Sequence, residues 1–320
     1  MSISITVLIS SVVLTYLLRA FAHKKQIIDI PNERSSHTLP TPKGGGLAII
    51  TVFLMVNIYL YMNSQISSSL FWALICVLPV TAVSMLDDLF TLPAKIRFLV
   101  QLLSSLLALY ILGGVDSVNL GCCIIEGVWI NIIAVISMLW LINLYNFLDG
   151  LDGYAASEAV FVGVSVFLLF HNEVGLYLAL ASLGFLLFNW PKASFFMGDV
   201  GSASLGFIFA VLLLNDAGNP NFLAWVILLS LFWFDATVTL LRRFKNKEKL
   251  FQAHRKHMYQ RLHQAGWSHR KVLLGSIIFN LLLLVGLWFS KVEYYLYLLG
   301  SILLILWSML KYIDKQKGFE

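Results

Sequence analysis

The chain has 320 residues, of which 59% are hydrophobic and only 12% are charged. Soluble domains carry about 25% charged residues, so this composition excludes a soluble protein. The net charge of +5 is informative mainly through its distribution along the chain. The three cysteines, Cys76, Cys122 and Cys123, have neither metal-site spacing nor the pattern of a disulfide framework.

Apolar stretches long enough to cross a bilayer recur from end to end, since about 20 apolar residues span it as a helix. The first stretch lacks the basic start and the cleavage site of a signal peptide, so we expect it to be retained. The pattern predicts one all-α polytopic membrane domain over residues 1–320, with ten or eleven spans. The spans lie near residues 2–19, 45–62, 68–86, 97–113, 128–145, 155–170, 174–189, 200–214, 222–241, 271–289 and 293–311.

The basic residues predict the orientation of these spans. One side comprises the C-terminal tail and the loops 20–44, 87–97, 146–154, 190–199 and 242–270. When span-end residues such as Arg19 are assigned to the nearer side, it holds 21 of the 22 lysines and arginines, and the other side holds only Lys291. Because cytoplasmic loops carry the Lys/Arg excess, we expect this side to be cytoplasmic, with the N-terminus outside and the C-terminus inside.

The first two cytoplasmic loops carry candidate phosphate-binding residues. In PNERSSHTLPTPKGGG (31–46), Gly45 would let the backbone approach a ligand, and Lys43 could meet phosphate; a flexible basic loop is the alternative. Asp87 and Asp88 end the third span, and Lys95 follows them. Paired carboxylates at an apolar helix end either face water or are compensated by a cation, and Mg²⁺ prefers one or two carboxylates plus phosphate oxygens.

Two further motifs add carboxylate and amide groups on the same side. NLYNFLDGLDG (143–153) contributes Asn146, Asp149 and Asp152 beside two glycine turns. NWPKASFFMGDVGS (189–202) places Asp199 directly before the eighth span, where it can cap a helix or bind a metal.

The loop 242–270 is strongly basic. Positive-inside topology and attraction to anionic lipid explain its lysines, but they explain the cluster HRKHMYQRL (254–262) poorly. His254 and His257 would share a face if that segment were helical. Asp235, inside the ninth span, is either functional or paired with Arg242, and His269 has the pattern of an ordinary loop residue.

A dianionic phosphate donor held by a metal would account for all five loops, because phosphoryl transfer depends on positioning and charge neutralisation. The apolar surroundings suggest a lipid acceptor that enters from the bilayer. A flippase or secondary transporter is the alternative, although transporter sites lie near the bilayer midplane.

From Pro31 to Leu262 the sequence resembles the polyprenyl-phosphate N-acetylhexosamine-1-phosphate transferases, the group that includes WecA and MraY. The motifs that carry the resemblance are PNERSSH with TPKGGG, LDD followed by KIR, NFLDGLDG, FFMGDVGS and HRKHMYQRL. The last motif is most similar to the O-antigen initiating branch and lacks the consecutive histidines of the MraY branch.

The resemblance implies a role for each motif residue. Asp199 and Asn146 would bind Mg²⁺, with Mn²⁺ as a substitute. The remaining expected site residues fall into two groups. The catalytic group is Asp87, Asp88, Lys95, His254, Arg255 and His257. The substrate-binding group is Lys43, Gly45, Asp149, Asp152, Asn189 and Phe196, of which Asp152 and Asn189 would bind the nucleoside and Phe196 would stack on uracil.

The resemblance also implies the reaction. UDP-N-acetylhexosamine and polyprenyl phosphate, such as undecaprenyl phosphate, would give polyprenyl-diphosphate-sugar and UMP at a bacterial inner membrane, initiating a glycan such as O-antigen. Direct attack by the lipid phosphate and a covalent aspartyl intermediate both remain open. No nucleic acid partner is expected, and a homodimer is compatible with the sequence.

Overall fold

The computed structural model describes residues 3–31, 36, 39–90, 92–249 and 254–319. In these residues the fold is helical, with two short antiparallel ribbons, β1–β2 and β3–β4. The helices are α1 (Ile3–Lys25), α2 (Gly46–Met62), α3 (Ser68–Ile75), α4 (Val77–Phe90), α5 (Ala94–Leu112), α6 (Trp129–Phe147), α7 (Tyr154–Phe170), α8 (Glu173–Asn189), α9 (Asp199–Asn215), α10 (Phe222–Leu228), α11 (Ser230–Lys245), α12 (Met258–Gln264), α13 (His269–Phe289) and α14 (Tyr295–Gln316). The strands are β1 (Ile28–Asp29), β2 (Thr41–Pro42), β3 (Ser117–Asn119) and β4 (Ile124–Glu126).

Among the described residues, six helical segments are long and apolar enough to cross a membrane: α1, α3 with α4, α5, α6, α13, and the segment that contains α14. Together α10 and α11 pass the same test, with a bend of 67° between them. The apolar helices α2, α7, α8 and α9 have 17 residues each. Within the described ranges these units coincide with the eleven predicted spans, so the all-α polytopic membrane fold is confirmed.

Helix α9 lies at the centre of the bundle. Every residue from Val200 to Leu214 is buried, and the helix packs against α2, α4 and α6. A Cβ on Gly46 would lie 2.1 Å from the Cα of Gly201, so α2 and α9 begin in direct contact, which only glycine permits. At 1.5 Å per residue a 17-residue helix rises about 25 Å, less than the roughly 30 Å of a hydrocarbon core.

The opposite end of α9 contacts the β3–β4 ribbon and α10 instead of the motif loops. There Ala217 accepts a backbone hydrogen bond from Asn119 in β3 at 2.9 Å, and Asp216 accepts one from the indole N–H of Trp225 at 2.8 Å. Cys122 and Cys123, in the β3–β4 turn, are exposed free thiols. The two ends of the bundle are therefore chemically distinct, and the motif residues lie at the end where α9 begins.

Candidate active site

Four aspartates from α4, the loop between α6 and α7, and the start of α9 lie together at that end of the bundle. Asp149 is in the loop after α6. Burial, followed by the charges of Asp199, Asp88 and Asp152, raises its pKa well above the ordinary value. A direct contact supports this arrangement, because Oδ2 of Asp88 lies 3.2 Å from the backbone nitrogen of Val200, the residue after Asp199. The motifs that the sequence placed on one membrane side therefore form one acidic cluster.

Asp88 is fixed between a cation and the start of α9. Its Oδ1 lies 3.2 Å from Nζ of Lys43, and its Oδ2 accepts a hydrogen bond from the backbone N–H of Val200 at 3.2 Å. Gly198 has a φ of 74°, and a Cβ there would lie 2.7 Å from Oδ2 of Asp88. Glycine is thus required at 198 both for its backbone conformation and for the approach of the carboxylate.

Asp87 is bound mainly by the connection between α4 and α5. Its Oδ1 accepts a hydrogen bond from the backbone N–H of Leu92 at 2.5 Å, and its Oδ2 lies 2.6 Å from Nη1 of Arg97. The same Nη1 lies 3.3 Å from Oδ2 of Asp199. Lys95 is exposed in the first turn of α5, so Arg97, two residues later, is the residue of this helix that adds positive charge to the cluster, beside Lys43.

Asp199 is the first residue of α9, and its side chain is 35% exposed. The side chain of Asn146, at the end of α6, hydrogen-bonds it and also donates to Oγ of Ser202 at 3.2 Å. The two predicted metal ligands are therefore neighbours. In the described part of the chain, no three His, Cys, Asp or Glu side chains form a complete metal cage.

The loops after α6 and α8 are fastened to each other. Asn189 accepts a hydrogen bond from Gly153 N–H at 2.9 Å and donates to the Phe195 carbonyl at 3.0 Å, so both ends of this buried amide are engaged within the protein. Asp152 Oδ2 accepts from Ala193 N–H at 3.2 Å and lies 3.1 Å from Nδ1 of His269. The expectation that His269 is an ordinary loop residue is wrong, because it begins α13 and contacts the acidic cluster.

The glycine segment before α2 lies along the loop before α9. Gly45 N–H donates to the Phe196 carbonyl at 2.9 Å, and Lys43 and Phe196 form a parallel bridge. A Cβ on Gly45 would lie 2.3 Å from the ring of Phe185, so this glycine permits close packing. The Phe196 side chain is half-buried. Most of PNERSSH, residues 32–35 and 37, lies outside the described residues, as does residue 38.

Asp235 is a remote cap for the short helix α12. This 1% exposed residue accepts hydrogen bonds from the backbone N–H groups of Met258 at 2.9 Å and Tyr259 at 3.4 Å, and its Oδ1 lies 3.2 Å from Nδ1 of His257. The alternative pairing with Arg242 is wrong, because Arg242 bonds Asp314 instead. A carboxylate inside a span thereby holds the start of the basic segment, because helix N-termini carry unpaired N–H groups.

His254 and His257 do not lie on one helix, since α12 begins at Met258; their ring centroids are 4.9 Å apart. Burial, then the charges of His257 and Arg243, lower the pKa of His254 to about 3. Its Nδ1 accepts a hydrogen bond from Lys256 N–H at 3.2 Å, which leaves the proton of the neutral ring on Nε2. Arg255 is half-buried beside it.

Comparison with known proteins shows what this arrangement is similar to. The model of glycosyl transferase family 4 matches residues 70–216, the range that contains both acids of α4, the loop after α6 and the start of α9. Over this range the chain is similar to glycosyl transferase family 4. The protein is 28% identical to a probable undecaprenyl-phosphate N-acetylglucosaminyl 1-phosphate transferase of Bacillus subtilis, over 83% of this chain and 78% of the relative.

Two further relatives have related names. A decaprenyl-phosphate N-acetylglucosaminephosphotransferase of Mycobacterium leprae is 27% identical over 85% of this chain and 79% of its own. An undecaprenyl-phosphate alpha-N-acetylglucosaminyl 1-phosphate transferase of Thermotoga maritima is 27% identical over 86% and 87%. The similarity to these relatives extends over most of the chain, well beyond the residues that the family model matches.

Proposed function

We propose that this protein transfers N-acetylhexosamine 1-phosphate from a UDP-sugar to polyprenyl phosphate, giving polyprenyl-diphosphate-sugar and UMP. The relatives are named for polyprenyl phosphate acceptors and N-acetylglucosamine. The observation that carries the proposal is the cluster of four aspartates with Lys43 and Arg97 at one end of a membrane bundle. With a divalent cation bound between the carboxylates and the diphosphate, such a site would suit an anionic donor and a lipid acceptor, because charge neutralisation dominates phosphoryl transfer.

The residues of the site support a simple exchange of phosphoanhydrides. An oxygen of the lipid phosphate attacks the β-phosphorus of the donor, and the bond from that phosphorus to the bridging oxygen breaks. UMP leaves with the electron pair. Asp88, fixed beside Lys43, would deprotonate or orient the attacking phosphate, and neutral His254 would donate its Nε2–H to a phosphate oxygen. The positive charge of Arg97 would neutralise part of the negative charge of the cluster.

We propose Mg²⁺ as the cofactor, with Mn²⁺ as a substitute, at Asp199 and Asn146. The partly exposed carboxylate of Asp199 beside an amide suits Mg²⁺, which takes one or two protein carboxylates and completes its shell with water and substrate phosphate. When bound, the ion would neutralise the diphosphate and polarise the bond that breaks.

The first expected result is UMP release by the purified protein in detergent, given UDP-N-acetylglucosamine, undecaprenyl phosphate and Mg²⁺. Because one phosphoanhydride replaces another, the equilibrium lies near balance, and added UMP should regenerate the UDP-sugar. A panel of UDP-sugars identifies the hexosamine. Movement of lipid or solute across sealed vesicles without UMP release would favour the transporter alternative.

The magnesium requirement should depend on pH. The pKa of Asp149 is raised chiefly by burial and further by the other carboxyls, so protons compete with a cation for this cluster at low pH. Binding of a metal releases such protons. We expect the apparent Kd for Mg²⁺ to fall with rising pH, by up to about tenfold per unit for each proton released. An Asp149→Asn variant should show a flatter dependence in the same titration, and equal slopes would contradict this explanation.

We propose that the protein lies in a bacterial inner membrane with the acidic cluster facing the cytoplasm. A membrane-impermeant maleimide should then label intact cells at the exposed Cys122 and Cys123, because the third cysteine, Cys76, is buried. The Cys122→Ser, Cys123→Ser double variant should lose this labelling. A cysteine introduced by Lys192→Cys in that double variant should react only after permeabilisation, and the reverse pattern would invert the orientation.

A further inference from the structure

A carboxylate near the end of α14 receives two arginines from different elements. Asp314 accepts hydrogen bonds from Arg242, at the end of α11, at 2.7 Å on Oδ1 and 2.6 Å on Oδ2. Arg261, in α12, donates to Oδ1 of the same residue at 2.7 Å. A forked pair of this kind fixes geometry as well as charge. Asp314 therefore joins three helices that are remote in sequence.

Arg261 depends on the segment that follows Asp314. The residue is 1% exposed, and its Nη2 donates both to Asp314 and to the backbone carbonyl of Lys317. Its Nε and Nη1 atoms have no hydrogen-bond partner among the described residues. All the hydrogen bonds found for this buried guanidinium thus lead to one short segment, and a buried charge that loses its partner is costly.

Phe319 adds an aromatic contact to the same cations. Its ring centroid lies 5.0 Å from Cζ of Arg242, 5.4 Å from Nζ of Lys256 and 5.5 Å from Cζ of Arg261. Each of these distances is within the range of a cation–π attraction. Lys256 is also paired with Glu248 at 2.9 Å, so the ring lies at the edge of a larger ionic network.

These contacts reach the candidate site through α12. Lys256 directly precedes His257, and Arg261 donates a helical hydrogen bond from its N–H to the His257 carbonyl at 2.9 Å. Asp235 holds the first turn of α12, whereas Asp314 holds its last turn. The histidine segment is thus pinned at two places by groups outside the acidic cluster.

We propose that Asp314 and Phe319 are positioning residues of the transferase, which hold the basic segment 254–261 at the donor side of the site. The inference rests on the proposed function, because the segment must be placed for a nucleotide-sugar donor. The residues 314–319, here named the tail segment, would touch neither substrate. Their effect is to fix His254 and Arg255, since misplacement of a catalytic group by about 1 Å can cost about a hundredfold in rate.

The test compares substitutions that separate aromatic character from volume. We expect Phe319→Leu to lower kcat/KM for the UDP-sugar by about fivefold, because a partly exposed cation–π contact is lost. Phe319→Trp keeps an aromatic ring and should have the kcat/KM of the unmodified protein. Asp314→Asn, which leaves Arg242 and Arg261 without a countercharge, should lower it by up to about a hundredfold. Tyr312→Leu, an exposed aromatic on the same helix, is the matched control and should match the unmodified protein.

Limited trypsin digestion gives a second measurement that does not need activity. Phe319→Leu and Asp314→Asn should speed cleavage after Arg255 and Lys256, while Phe319→Trp and Tyr312→Leu should not, at unchanged elution from a sizing column. If the unmodified protein releases no UMP, the proposed function fails, and the digestion pattern still decides whether the tail segment fixes the loop. Equal behaviour of the Leu and Trp variants at position 319, in digestion and in rate, would overturn the positioning role.

Discussion

Replacement of Asp199 by asparagine should reduce Mg²⁺-dependent UMP release by more than about a hundredfold. Loss of a group that only supports a metal ligand costs about 10- to 100-fold, and Asp199 is proposed as the ligand itself. The substitution keeps the size of the side chain and its hydrogen bond from Asn146, so the protein should still elute as a folded species. The measurement is the initial rate of UMP release over a range of Mg²⁺ concentrations.

Asp216→Asn is the matched control, since Asp216 directly follows the same helix, at its opposite end. It accepts a hydrogen bond from the indole N–H of Trp225, a bond that an asparagine carbonyl oxygen can also accept. This variant should retain the rate and Mg²⁺ dependence of the unmodified protein. Normal turnover by Asp199→Asn at every Mg²⁺ concentration would exclude Asp199 as the ligand.

Replacement of Asp235 by leucine should remove most activity, although Asp235 itself would contact no substrate. The change deprives the backbone N–H groups of Met258 and Tyr259 of their acceptor, in a buried place where each unpaired group costs about 1–3 kcal/mol. We expect the 254–261 segment to leave its place, with a loss of about a hundredfold in kcat/KM and faster tryptic cleavage at Lys256. Asp235→Asn, which keeps one acceptor oxygen, should fall between leucine and the unmodified protein.

Thr239→Val serves as the control for this position. The Thr239 hydroxyl donates to the same carboxylate at 3.0 Å. Among the described residues, it forms no hydrogen bond with α12. The variant should show rates close to those of the unmodified protein. If Thr239→Val and Asp235→Leu lose activity equally while cleavage at Lys256 stays slow, Asp235 acts through the packing of α11 rather than through the cap.

The spans and the gathering of the motifs could be predicted from sequence because both follow from local patterns. Long apolar runs specify helices wherever water is absent, and the excess of lysine and arginine placed the motif loops on one side. The bend of 67° between α10 and α11 could not be predicted, because Leu229 and Ser230 at the break are neither proline nor glycine.

Long-range pairings were the part that the sequence did not specify. Arg97 and Lys95 both lie in the first turn of α5, and only the tertiary structure shows that Arg97 turns toward Asp87 while Lys95 faces outward. His269 meets Asp152 across 117 positions, a contact with no signal in either segment. Asp235 was ambiguous for the same reason, because its partners in α12 include backbone N–H groups, which no residue pattern reveals.

The short central helices have a consequence for how an isoprenoid substrate would be handled. A 17-residue rod that rises about 25 Å in a core of roughly 30 Å leaves its polar tip below the plane of the headgroups. Withdrawing a long prenyl chain into water would cost about 0.8 kcal/mol for each methylene. If the carboxylates lie close to the hydrocarbon core, the phosphate of the lipid can reach them by lateral diffusion while the prenyl chain stays inside the bilayer.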